Sequence, residues 1–181
     1  MGTVGRVDRP RPRGHRRGVK DLLDRLDAWL AAHAPAIATS LQPPAPAKGG
    51  PWSRLEGELG FTLTEDFHAL YAAHNGQRLK GPGLFDGLRW LTLDQVLERY
   101  RDDDGDHGAA DWPDAWVPLA GGATRTLVVD FGEAPAPVLL VDRDGVGEPV
   151  AATLRGYLTK VVDDATAGRR QLVAGRGLIV V

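Results

Sequence analysis

The sequence predicts an α+β domain, a central antiparallel sheet of about five to six strands with about four helices, and three observations carry that expectation. Apolar residues recur at helical spacing in several stretches between residues 19 and 100 and again after residue 153. From residue 116 onward, short apolar runs rich in Val and Leu are separated by Gly- and Pro-containing turns, too close together for anything but antiparallel pairing. A chain of 181 residues with 43% hydrophobic and 25% charged residues is large enough for one real core. It needs no staple, and the absence of cysteine excludes disulfides, thiolate zinc sites and a cysteine nucleophile.

The net charge of −2 hides an asymmetry. Residues 1–20 carry seven Arg or Lys against Asp8 alone, which makes that end +6 and leaves −8 for residues 21–181. Residues 1–18 have neither period nor apolar surface, and Pro10, Pro12 and several glycines interrupt the arginines, so this basic tail is expected to be disordered. A nucleic-acid arm would call for aromatic residues among the arginines, and there are none. The tail is read as a solvated extension, or as residues ahead of a true start near Val19. Residues 19–181 are expected to form one domain. Behind the basic stretch there is no apolar run, and nowhere do about 20 apolar residues follow one another as a membrane span requires, so the expectation is a cytoplasmic protein with no membrane association.

Val19, Leu22, Leu23, Leu26 and Leu30 form one apolar stripe opposite Asp21, Asp24, Arg25 and Asp27, a helix that should end near His33 ahead of Pro35. Trp29 beside the stripe widens the buried face. Residues 42–51 are a Pro/Gly-rich linker that lets this helix fold back. Trp52, Leu55 and Leu59 then repeat at helical spacing and stop at Gly60, which readily takes the left-handed conformation that closes a helix. Thr64 is an N-cap with Glu65 and Asp66 in the first turn, and Phe67, Leu70, Tyr71 and His74 follow before Asn75-Gly76 ends the run.

Residues 77–83 read as a loop and 84–91 as a strand-like run broken by Asp86-Gly87. Thr92 and Gln95 have capping-box spacing ahead of a helix that buries Leu93, Val96, Leu97 and Tyr100. Strands are expected over residues 116–119, 126–130, 138–142 and 149–152. Thr153 caps a last helix with Leu154, Tyr157, Leu158, Val161 and Ala165 inward, ending near Gly168, and residues 171–181 offer an edge strand.

Residues 52–76 resemble the signature of the SUKH superfamily, which contains fungal cell-wall-synthesis regulators and many bacterial toxin-immunity proteins. The shared pattern is Trp52, Leu55-Glu56, Leu59-Gly60, Leu63, Asp66-Phe67, Leu70-Tyr71 and Asn75-Gly76. The later order, an aromatic-rich strand, a short helix, a Trp-x-Pro-Leu strand, a strand ending in Asp, a hairpin and a closing helix, is also similar, so that the resemblance covers roughly residues 20–168. It implies a SUKH-like fold and a non-catalytic protein-binding module. The function so implied is that of an immunity protein that occludes the active surface of a cognate toxin. A regulatory or scaffold role like that of the fungal members is the alternative, and a small uncharacterised enzyme is the third reading.

The catalytic inventory is short. Ser40 and Ser53 are the only serines, neither lies in a Gly-x-Ser-x-Gly elbow, and no phosphate-binding Gly-Lys-Ser/Thr or complete dinucleotide glycine pattern occurs. The five histidines, at 15, 33, 68, 74 and 107, make no His-Glu-x-x-His pair. His74 on an apolar face reads as a hydrogen-bonded core residue, and Glu56 as a cap or salt-bridge partner. The Asp-rich stretch at 102–106 fails the calcium-loop register, because position 1 falls on Tyr100 and position 12 on Asp111. No enzyme activity, metal or other cofactor is therefore expected. The interface expectation rests on charge: residues 86–114 hold nine acidic residues against Arg89, Arg99 and Arg101. An acidic patch steers a basic partner, such as a nuclease toxin basic where it holds phosphates, while affinity needs aromatic anchors. The candidate partner-binding residues are Asp86, Asp102, Asp103, Asp104, Asp106, Trp112 and Trp116; the alternative reading is that Trp116 belongs to the core and the aspartates only keep the surface soluble.

Overall fold

The computed structural model describes residues 18–47, 49–101 and 112–181. The expectations for residues 1–17, for Asp102, Asp103, Asp104 and Asp106, and for His107 lie outside the described residues.

Among the described residues six helices and seven strands follow in the order α1 (Val19–His33), α2 (Pro35–Ala38), α3 (Pro51–Leu59), α4 (Glu65–Ala73), β1 (Arg89–Trp90), α5 (Leu93–Arg101), β2 (Trp116–Gly121), β3 (Arg125–Asp130), β4 (Val138–Asp142), β5 (Gly147–Ala151), α6 (Leu154–Thr166), β6 (Arg170–Val173) and β7 (Gly177–Val180). Strands β1 to β5 form one antiparallel sheet in sequence order, the α+β arrangement the sequence predicts. The helices beyond the expected four include α2, a single turn started by Pro35 at its first position.

The two sheet faces differ as the period-2 geometry of strands requires. Val117, Leu119, Leu127, Val129 and Val138 join the helices in the main core, together with the α1 stripe and Trp52, Leu55, Phe67, Leu70 and Tyr71. Val128, Leu139 and Val141 point the other way and are covered by Trp112 and Trp116. Pro118 is accommodated inside β2 because β1 pairs only with Ala120 and Gly121, so β2 is an edge strand at that point.

The local signals hold. Gly60 closes α3 at φ 72°, and the Thr64 hydroxyl accepts from Phe67 N at the start of α4. Thr92 and Gln95 make both bonds of the capping box, and Thr153 caps α6 through Gly156 N. Two stretches differ from expectation. Of residues 84–91 only Arg89 and Trp90 pair as strand; Phe85 and Leu88 exchange backbone hydrogen bonds around Asp86 (φ 53°) and Gly87 (φ 81°), both on the positive side that a tight Asp-Gly turn needs. The C-terminal segment does not extend the main sheet. β6 and β7 pair with each other and lock onto that turn, Gly87 N donating to Leu178 O and Leu178 N to Gly83 O. The Pro-rich linker is tied down as well: Gln42 N and Ala45 N donate to Gly76 O and Tyr71 O, and Asn75 N donates to Pro43 O.

Candidate functional site

Glu56, Asp66 and Asn75, the polar residues of the 52–76 pattern, are engaged by other parts of the fold. Glu56 Oε1 accepts from Leu63 N at 3.1 Å and lies 3.1 Å from His68 Nε2, so one carboxylate closes the turn between the helices. The His68 ring lies against Trp52 with centroids 4.3 Å apart, and Trp52 meets the edge of Tyr71. Asp66 pairs with Arg155, tying the start of α4 to α6. Asn75 Oδ1 accepts from Leu93 N at 3.0 Å, joining the end of α4 to the start of α5. Tyr71 is fully buried and donates to Leu91 O at 2.9 Å; burial pushes its phenol well above the ordinary range, so it remains a donor. His74 is half-buried between Asp27 (2.8 Å) and Gln42 O (3.2 Å), as a hydrogen-bonded core-edge residue. The hydrogen bond to Asp27 raises its pKa, against a smaller opposing effect of burial. No described Ser, Thr or second carboxylate is hydrogen-bonded to either His68 or His74, so neither pair has the nucleophile or paired acid that catalysis would use.

One residue beside the signature escaped the sequence reading. Gln77 is completely buried and uses its whole amide: Nε2 donates to Ser40 Oγ (2.8 Å) and Pro82 O (2.9 Å), and Oε1 accepts from Leu84 N (3.2 Å) and Trp90 N (3.0 Å). Its partners come from three separate segments, which no local pattern announces.

The candidate interface residues separate. Trp112 and Trp116 do come together, with ring centroids 6.1 Å apart and planes at 63° over the outer sheet face. Asp86 does not join them. Its Oδ2 accepts from Tyr157 OH and its Oδ1 from Arg170 Nη1, both at 2.7 Å, so both oxygens are engaged inside the fold by α6 and β6. Arg170 is 3% exposed, a buried cation for which Asp86 is the counter-charge. Burial first, and then the Asp86 charge, push the Tyr157 phenol well above the ordinary range and keep it a donor.

Trp112 stands between two open clefts. The first, of about 470 Å³, lies between α5, the β2–β3 turn and the end of β4, and is lined by Arg89, Arg99, Arg125 and Arg143 with Glu98 and Asp142 as its acids. The second, of about 480 Å³, is lined by Glu58, Tyr100, Arg101, Asp114 and Trp116. Arg101 is paired with Glu58 there, and Tyr100 OH donates to Asp114 O. The acidic segment 102–111 leaves the described structure at Arg101 and returns at Trp112, both on the second cleft. The arginine cleft was not read from the sequence. β1, α5, β3 and the turn after β4 supply one arginine each, and the register that sets Arg89 opposite Gly121 and Arg125 opposite Asp142 places the two strand arginines.

Among the described residues no group of His, Asp and Glu side chains is placed to hold a metal ion. Nor is any described helix long and apolar enough to cross a membrane. An antiparallel sheet with helices packed on one face and a helical hairpin at its heart define an α+β module without an assembled catalytic constellation among the described residues. The model of the SMI1 / KNR4 family (SUKH-1) matches residues 46–160, more than half of the chain, which therefore belongs to that family. The match includes the hairpin, the sheet and the first half of α6, and stops short of α1 and the β6–β7 hairpin. No curated protein matches the chain.

Proposed function

We propose that this chain is a non-catalytic protein-binding module that acts as an immunity protein, neutralising a cognate toxin of the nuclease type by covering its active surface. The observation that carries the reading is the Trp112–Trp116 pair, two large aromatic rings on the outer sheet face, half-buried, at the end of the most acidic stretch of the sequence. Aromatic anchors beside a charged surface are what a tight and fast protein interface uses, the rings for affinity and the charge for steering. Family membership supports protein–protein interaction in general. Asp102, Asp103, Asp104 and Asp106 enter this proposal through their charge and their place in the chain between Arg101 and Trp112. Asp86 is set aside, since its carboxylate is committed to Tyr157 and Arg170.

The test begins with the native partner, isolated by co-purification and identified. The expected partner is a toxic domain whose activity the protein suppresses. Trp112→Ala should weaken binding at least about tenfold, as loss of an interface anchor does. Asp102→Lys/Asp104→Lys should slow association at low salt. A cell-wall or signalling protein as partner, with no toxicity to suppress, would move the reading to a regulatory scaffold. Turnover in a hydrolase and nuclease screen that vanished with Glu56→Ala or His68→Ala would replace the binding module by an enzyme.

A further inference from the structure

We infer that the arginine cleft beside Trp112 is a docking site for a carboxylate-bearing peptide segment of a protein partner, gripped by Arg125 and Arg143; this rests on the protein-binding reading above. The charge is out of place for this body. Residues 21–181 sum to −8, yet among the described residues four arginines and two carboxylates line this one cleft. Arg125 and Arg143 are exposed, and among the described residues no hydrogen bond or ion pair engages either guanidinium. The acid that the sheet register sets opposite Arg125 is occupied elsewhere: Asp142 Oδ1 accepts from Asp144 N at 2.9 Å and Val146 N at 3.0 Å to hold the β4–β5 turn.

The wall is also short of acceptors. Among the described residues, Arg89 Nε and Trp112 Nε1 are buried donors without a partner, a condition that native structures tolerate in few places. A guanidinium is matched best by a carboxylate or a phosphate, each of which takes two parallel N–H donors. Glu98 and Asp142 decide between these. A compact polyanion in a cleft of about 470 Å³ would lie close to both carboxylates, and their repulsion would offset much of the attraction of the arginines. A peptide can set its own carboxylates on Arg125 and Arg143, lay its apolar stems against Trp112 and leave neutral or basic groups toward Glu98. Cleft size suits a few side chains of such a segment. With an acidic stretch preceding Trp112 in the sequence and an arginine cleft beside Trp112 in the fold, a partner would have to present both signs in the right order, which discriminates against uniformly basic proteins.

The experiment titrates the isotope-labelled full chain with an acetylated, C-terminally amidated Glu-Glu-Ala-Leu-Ala-Lys peptide at low salt, following the Trp112 indole N–H signal, assigned through Trp112→Phe. The expected result is a saturable shift of that signal and affinity at least about tenfold lower in Arg125→Glu/Arg143→Glu, as reversal of two contacting charges requires. Lys160→Glu, exposed on α6 and outside the cleft lining, should bind as wild type. Three results would overturn the inference: no shift of the Trp112 signal, equal binding by the double variant, or inorganic pyrophosphate binding the same residues more tightly than the peptide. Because the titration contains no native partner, its failure leaves the immunity reading standing. Failure of the partner assay alongside success here would leave an acidic-peptide site serving a different partner.

Discussion

The α3–α4 hairpin and the Trp112 face are both rich in polar side chains, and they use them in opposite ways. In the hairpin Glu56, Thr64, Asn75 and the adjacent Gln77 spend their hydrogen bonds within the same molecule, mostly on backbone groups. On the Trp112 face Arg125 and Arg143 point outward with nothing to hold among the described residues. The pattern by which the family is recognised is therefore largely a folding device. On the reading proposed above, binding belongs to side chains that lie outside it.

The largest expected effect lies where the backbone itself is crowded. Gly76 has φ 72°, and a Cβ there would lie 2.5 Å from Leu91 C and O and 2.7 Å from Thr92 N. These are main-chain atoms, which cannot swing away as a flexible side chain would. Gly76→Ala should cost about 3 kcal/mol or more, combining left-handed strain with overlap, whereas Arg125→Ala should stay within about 0.5 kcal/mol as an ordinary surface change. Urea unfolding of the two variants beside wild type measures both. Similar midpoints for the two variants would erase the contrast between the regions.

A middle-sized effect is expected at Asp86, which charge counting assigns to a partner surface and the fold ties to Tyr157 and Arg170. Asp86→Asn preserves shape and tolerates the positive φ of 53°, but leaves the buried Arg170 without its counter-charge. A loss of about 2 kcal/mol is expected, within the usual cost of breaking one charged hydrogen-bonded partnership. The folded variant should bind the native partner as wild type does. Weakened binding without lost stability would return Asp86 to the interface.

These cases show where sequence reading succeeds. Thr64, the Thr92/Gln95 pair, Thr153 and Gly60 were legible because a cap acts within one turn of its own chain, so spacing alone specifies the partner. The strands of the sheet were legible because adjacent antiparallel strands leave few alternatives. Asp86, Gln77 and the arginine cleft were not. The partners of Asp86 lie 71 and 84 residues away, and two of the four cleft arginines are placed by a strand register that composition does not encode. Of the candidate interface, the pairing of Trp112 with Trp116 is four residues long and could be read; what stands beside it could not.

The smallest expected effect returns to the hairpin side of the comparison and tests whether its hydrogen bonds carry charge as well as geometry. His74 joins α4 to α1 through Asp27 at 2.8 Å, and that contact raises its pKa above the ordinary value of 6.5. A histidine that holds its proton more tightly when folded stabilises the fold fully below the unfolded pKa of about 6.5. That contribution fades as pH rises through the folded value. The Asp27 side chain is 40% exposed, so solvent screening limits the gain to about 1 kcal/mol or less. Wild type should therefore lose slightly more stability between pH 5.5 and pH 8.5 than Asp27→Asn, which keeps a hydrogen-bonding group but removes the charge. Urea midpoints for both proteins at the two pH values give the difference directly. Parallel pH dependence in the two would mean that the His74–Asp27 contact positions α4 against α1 without contributing electrostatic stability.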